Sequence, residues 1–268
     1  MPELPEVETI RKGIIAKLKD KKIADVEIRV PKLFIGNRRD IIGAKIIDAH
    51  RVAKILEIVL DNGYSILIHL KLTGQLIFRK TEDREQKTDY TRIIYTFNDG
   101  TKLLFNDLRK FGWHRIVKST DVNKILGPDK FGPEPGSRDF TVEYLKNIFS
   151  KSQKAIKLVL MDQEKIGGIG NIYANDALYW AGILPERPAK SLSREEIKKL
   201  KSTLEKVIAL GLKYGGSSEN TYVNIEGKQG RYMEIAAVYQ QKTDPQGHSV
   251  KKTQLGGRGT FYCPICQY

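Results

Sequence analysis

Apolar residues open the chain at three- and four-residue intervals. Val7, Ile10, Ile14 and Leu18 fall on one face, and Pro5 stands where a helix start tolerates proline, so residues 5–19 are predicted to be an amphipathic helix. From about residue 23 to 118 the pattern changes to short runs rich in Ile, Val, Tyr and Phe. The clearest predicted strands are 54–60, 65–70, 75–79, 92–97 and 102–105, separated by Asp61-Asn62-Gly63 and Asn98-Asp99-Gly100 as hairpin turns. Residues 131–137, FGPEPGS, read as a linker. Helical spacing returns at 141–150, 155–162, 172–181 and 194–214, with Ser193 or Ser191 capping the last helix and Gly215-Gly216 ending it. Residues 217–232 are polar and punctuated by glycine, as a functional or mobile loop would be, and 233–239 with 259–263 are expected to pair as a terminal hairpin. The expected fold class is α+β. An antiparallel β-sandwich with an N-terminal helix spans 1–130, a linker 131–139, a helical domain 140–232 and a β-hairpin 233–268.

The length of 268 residues is enough for two cores, and 40% hydrophobic with 29% charged residues excludes a disordered or collagen-like chain. No apolar stretch approaches the length of a membrane span, and no signal pattern opens the chain, which points to the cytoplasm or nucleoid. The net charge of +14 is spread along the chain, +8 over residues 1–130 and +6 over 131–268. A distributed excess suits a folded body presenting a basic face to a polyanion, or simply a soluble basic protein. Both cysteines, Cys263 and Cys266, lie at the end of the chain, so a secreted disulfide scaffold is excluded.

The opening MPELPEVET carries candidate chemistry. Once Met1 is removed, Pro2 presents a secondary α-amine, which titrates near about 7.7–8.0 and is partly nucleophilic at neutral pH. Attack on a sugar C1′ gives an iminium with no N–H proton to lose, an electron sink that acidifies the C2′ proton. Glu3 and Glu6 lie beside it in sequence to exchange protons. The plainer alternative is a processing residue followed by acids that favour a helix N-terminus.

This opening resembles that of the formamidopyrimidine-DNA glycosylases, bacterial base-excision enzymes that remove oxidised purines. Further blocks match in order: RVAK ending at Lys54, HLKLTG at 69–74, DLRKFG at 107–112, GPEP at 132–135, GGIGNIY at 167–173, GGSS at 215–218 and GRGTFYCPIC at 257–266. The resemblance implies a helix-two-turns-helix domain and a zinc-finger-like hairpin. It makes Pro2 the Schiff-base nucleophile, Glu3 the acid that assists base loss and ring opening, Lys54 the proton-transfer and phosphate-contacting lysine, and Arg258 the hairpin arginine of δ-elimination. Leu72, Arg109 and Phe111 would fill the gap left by an extruded base, with Leu72 where the family usually has Met. Asn171 at a glycine-rich helix entry would hold phosphate. Glu6, Thr88 and Lys154 complete the implied DNA-binding set, and residues 217–232 would close over the extruded base. The implied partner is duplex DNA with an oxidised base or an abasic site, bound by a monomer, with no cofactor needed for the chemistry.

Two departures stand out. Thr88-Asp89-Tyr90 replaces a His-Asp-His, so Thr88 offers a hydrogen bond but no charge. The family zinc uses two Cys-x-x-Cys pairs, whereas Gln246 and Ser249 stand where the first pair belongs. A zincless hairpin is therefore expected, packed on Val238, Tyr239, Phe261 and Tyr262, with completion of a mixed site by Asp244 and His248 as the alternative. Two other functions remain open from the sequence: an endonuclease VIII-type enzyme for oxidised pyrimidines, and a non-catalytic binder of lesions or abasic sites.

Overall fold

The computed structural model describes residues 1–82, 88–217 and 222–268. It divides into two compact units, Met1–Gly127 with Tyr214–Arg231, and Pro128–Lys213 with Tyr232–Tyr268. Among the described residues no helix is long and apolar enough to cross a membrane.

The first unit opens with helix α1 (Leu4–Leu18), whose buried face carries Val7, Ile10, Ile14 and Leu18 as the spacing predicts. Nine strands follow: β1 (Ile23–Ile28), β2 (Phe34–Ile35), β3 (Ile46–Val52), β4 (Ile55–Leu60), β5 (Tyr64–His69), β6 (Gly74–Arg79), β7 (Thr91–Phe97), β8 (Lys102–Asp107) and β9 (Trp113–Lys118). They form a four-stranded sheet, β1-β7-β8-β6, and a five-stranded sheet, β2-β9-β5-β4-β3. All pairings are antiparallel except the short β2 against β9, a parallel pair that the expected all-antiparallel sandwich did not include. Both sheets and α1 contribute to one core, with Val26, Tyr95 and Phe105 from the first sheet and Ile58, Ile66 and Ile68 from the second.

Residues 214–231 belong to this unit, not to the helical domain in which the sequence reading put them. Ile225 is the reason. It is buried in the sandwich core, its carbonyl accepts from Phe78 N at 2.7 Å, and a Cβ on Gly13 would stand 2.3 Å from its side chain. Asn224 closes a turn by accepting from the amides of Glu226 and Lys228. This part of the expected mobile loop is thus anchored; residues 218–221, where the rest of that loop lies, fall outside the described residues.

The second unit holds α2's successors in the chain. After the short α2 (Val122–Leu126) of the first unit come α3 (Val142–Ser150), α4 (Ile156–Leu160), α5 (Asn171–Ala181) and α6 (Arg194–Lys213). Thr141 caps α3 through Tyr144 N, and Ser193 with Glu196 caps α6 reciprocally. The expected linker is packed structure in this unit: Gly132 N donates to Gln163 O, and a Cβ there would lie 2.0 Å from the Lys165 carbonyl. The terminal hairpin pairs β10 (Lys251–Leu255) with β11 (Arg258–Tyr262) across Gly256-Gly257, both at positive φ. The predicted strand at 233–239 does not form, because Asp176 draws three of its amides away from any ladder. Ala237, Val238 and Tyr239 each donate to its carboxylate at 3.0 Å, and the Tyr232 hydroxyl adds a fourth bond.

Candidate active site

In the first unit the candidate residues stand at the start of α1 and at strand ends. Pro2 and Glu3 are buried at the start of α1. Glu6, on the first turn, accepts from Glu3 N at 2.7 Å with one carboxylate oxygen and from Ser217 N at 2.7 Å with the other. It is fully buried, so the DNA contact assigned to Glu6 is corrected: its carboxylate clamps the N-terminus onto the segment that begins at Ser217.

Lys54 does not begin a strand, as the 54–60 reading implied. It occupies the tight turn between β3 and β4, after Ala53 at φ 50°, and is buried. Arg51 steadies this turn by donating to the Ala53 carbonyl at 2.8 Å while its Nε reaches Glu8 of α1 at 3.3 Å. Burial opposes ionisation of Glu8, yet Arg11 and Arg51 outweigh it and hold the carboxyl below its usual range. A residue without an assigned role, His69, stands at the same end of the sheet, where Ile55 pairs with it. Burial, with the charges of Lys71 and Lys54, lowers its pKa to about 3, so it stays neutral and its Nδ1 accepts from Lys71 N at 2.9 Å.

Lys71, at φ 52°, turns the chain so that Leu72 stands half-exposed between β5 and β6. The turn is closed by Gly74 N on Leu70 O, and only glycine fits there, since a Cβ would lie 2.4 Å from that oxygen. Asp107 joins it to the next loop. Buried at the end of β8, it accepts from the Thr73 hydroxyl and from Arg109 N with one oxygen, and from Phe111 N and Gly112 N at 2.9 and 2.8 Å with the other. Arg109 and Phe111 project from this frame with the guanidinium 5.0 Å from the ring centre, and Phe111 is 53% exposed. The exposed Thr88 turn meets the same strand end, because Asp107 N donates to Tyr90 O.

In the second unit, α5 begins at Asn171 after Gly168 (φ 85°) and Gly170. Its side chain donates to the Gly259 carbonyl at 3.0 Å. Lys154 is exposed and, among the described residues, is bonded through its backbone, at Ser152 and Ala189. The lysine that reaches the hairpin is Lys157, which is fully buried and donates to Gly259 O at 2.9 Å and the Thr260 hydroxyl at 2.7 Å. Its signal in the sequence was a cation on the apolar face of Ile156, Val159 and Leu160. Asn175 accepts from Phe261 N, so three side chains fasten β11, at whose exposed first position Arg258 stands. Of the expected packing set, Tyr239 and Phe261 meet edge to face at 5.2 Å.

At the open end of that hairpin, Asp244, His248, Cys263 and Cys266 bring one ligand atom each within 4.8 Å of one another. Two sulfurs, a nitrogen and an oxygen are a donor set that suits zinc. The buried Tyr179 hydroxyl, without a well-aligned hydrogen bond among the described residues, lies beside Asp244 and Cys266.

Pro2 at the buried start of a helix on a sandwich, a glycine-rich helix entry and an arginine-bearing hairpin are the marks of a helix-two-turns-helix DNA glycosylase. A family model for the formamidopyrimidine-DNA glycosylase N-terminal domain matches residues 1–114, and one for the formamidopyrimidine-DNA glycosylase H2TH domain matches 131–223. The formamidopyrimidine-DNA glycosylase of Shouchella clausii is 39% identical over 277 residues, covering 100% of this chain and 99% of that one; that of Bacillus subtilis is 36% identical over 276, covering 100% and 99%. Among solved structures, Lactococcus lactis Fpg in complex with DNA containing an abasic site superposes with a TM-score of 0.92 at 28% identity, covering 99% of each chain. The Fpg (MutM) protein of Thermus thermophilus gives 0.90 at 33%, covering 99% and 98%. The chain belongs to the formamidopyrimidine-DNA glycosylase family. It is a base-excision-repair DNA glycosylase with abasic-site lyase activity.

Proposed function

We propose that the chain excises oxidised purines, 8-oxoguanine and formamidopyrimidines, from duplex DNA in the cytoplasm, at the nucleoid, as a monomer. The Pro2 amine, freed of Met1, attacks C1′ as the base leaves, and the sugar ring opens to an iminium with Glu3 supplying the proton. Loss of the C2′ proton expels the 3′ phosphate, Lys54 assisting, and a second elimination expels the 5′ phosphate beside Arg258. Leu72, Arg109 and Phe111 fill the vacated stack, while Asn171 and Thr88 hold backbone. No step runs through a metal; a hairpin zinc on Asp244, His248, Cys263 and Cys266 would be structural.

The observation that carries this reading is the buried start of α1, where Glu6 fixes Glu3 and the amide of Ser217 around Pro2. Borohydride trapping on an 8-oxoguanine·C duplex tests it, with mass spectrometry locating the adduct. A covalent product at residue 2, lost in Pro2→Gly, is expected. An adduct formed only on oxidised pyrimidines would replace the substrate class, and no adduct on either lesion or an abasic site would replace the chemistry with binding alone.

A further inference from the structure

The two cysteines of the terminal hairpin have partners that a Cys-x-x-Cys search does not find. Asp244 divides its carboxylate between two tasks. One oxygen accepts from Gln246 N and His248 N at 2.9 and 2.8 Å, which closes the turn 244–248. The other faces inward, 3.2 Å from His248 Nδ1 and 3.1 Å from Cys266 Sγ. His248 Nδ1 is also 3.2 Å from that sulfur. Cys263 is fully buried, with its amide donating to the Gln267 side chain.

All four groups bind metal through lone pairs, and their convergence in a partly buried place is repulsive unless protons or a cation lie between them. A tetrahedral zinc with bonds of about 2.0–2.3 Å sets its ligand atoms roughly 3.3–3.8 Å apart; the contacts at 3.1–3.2 Å need slight expansion and the widest pairs, within 4.8 Å, slight contraction. The buried Tyr179 hydroxyl sits where it can donate to a ligand oxygen or sulfur. Gln246, which stands where a thiol belongs in the family pattern, contributes only a side-chain oxygen 3.8 Å from Cys266 Sγ.

We propose that this hairpin holds one zinc ion through Asp244, His248, Cys263 and Cys266, a mixed oxygen, nitrogen and two-sulfur centre. Binding releases both thiol protons and ties the 244–248 turn to the 263–266 knuckle. The strand pair between them is closed at this end by Lys251 opposite Tyr262 and at the other by the turn before Arg258. An Asp and a His four positions apart reach inward from one tight turn whose backbone the Asp itself closes.

The test is made on the full chain, purified from zinc-supplemented cells without chelator, and does not depend on DNA cleavage. Elemental analysis and native mass spectrometry should give one zinc per chain. X-ray absorption should give two sulfurs near 2.3 Å and two lighter atoms near 2.0 Å. Cobalt(II) in its place should show four-coordinate ligand-field bands with thiolate charge transfer. Asp244→Asn and His248→Ala should each weaken zinc binding at least tenfold, measured against a competing chelator, while Gln246→Ala leaves it unchanged. A folded parent that takes up no zinc, half a zinc per chain with a four-sulfur shell, or unchanged affinity in both the Asp244 and His248 variants would overturn the assignment. Should a variant misfold by circular dichroism, the absorption spectrum of the parent decides alone.

Discussion

Asp107 shows how much one buried carboxylate can organise. Its oxygens meet only donors, so Asp107→Asn turns an amide N–H toward one of them and leaves a buried clash of like groups. The expected cost is about 2–4 kcal/mol in chemical denaturation, with lesion-duplex affinity falling as far as in Arg109→Ala. An equal loss of stability in Thr73→Val would show that the amide contacts contribute little. Two histidines carry a second expectation. His69 and His114 titrate near 3 when folded against a usual value of 6.5, burial being the main cause in both. Above pH 6.5 both states are neutral and nothing is lost. As pH falls toward 3 the unfolded chain binds the extra protons, and stability drops by up to about 1.4 kcal/mol per pH unit for each histidine. His114→Gln should flatten that slope between pH 6 and 4 by the share of one group; an unchanged slope would place the acid sensitivity elsewhere. Neither Asp107 nor His69 announced itself in the sequence, since a carboxylate in a loop and a histidine at a strand end have many uses. Pro2 stood out by its secondary amine, whereas Lys54 and Arg109 were singled out through the motifs around them.

Elements were legible where their signal is local. Helix α1, the capped start of α6, and the turns at Gly63 and Gly100, both at positive φ, follow from spacing and turn chemistry. The failures come from distant partners. Residues 233–239 have strand composition, yet Asp176 on another element takes their amides, and the 214–231 segment follows Ile225 into the sandwich. The hairpin offers a direct test of such long-range support. In Lys157→Met the Gly259 carbonyl keeps Asn171, and the Thr260 hydroxyl keeps its bond to Arg258 O, so no buried acceptor is orphaned. The melting temperature should stay within a few degrees, while amides of β11 exchange faster and strand cleavage slows at least tenfold, because small displacements of a catalytic group weigh heavily. Unaltered exchange would mean that the two asparagines suffice.

For the whole molecule, the net charge of +14 is shared by stretches that fold into different units, so binding to DNA should draw on many dispersed phosphate contacts. Duplex affinity is expected to fall by roughly 10³-fold or more between 50 and 200 mM salt, and Arg258→Ala to reduce the slope by about one. A change below tenfold would mean that few phosphates are engaged. That charge was plain in the sequence; its division between two units was not, because the segment 214–231 crosses back after the helical domain has begun. The frame around Asp107 also has a practical consequence. The amides of Arg109 and Phe111 hold this loop while the side chains of Leu108, Arg109, Lys110 and Phe111 lie exposed, so its shape rests on backbone contacts more than on those side chains. Position 108, exposed and outside the proposed gap-filling set, is therefore a place for a fluorescent or photo-crosslinking amino acid, one that would light up or capture its neighbour at the instant the loop meets a duplex.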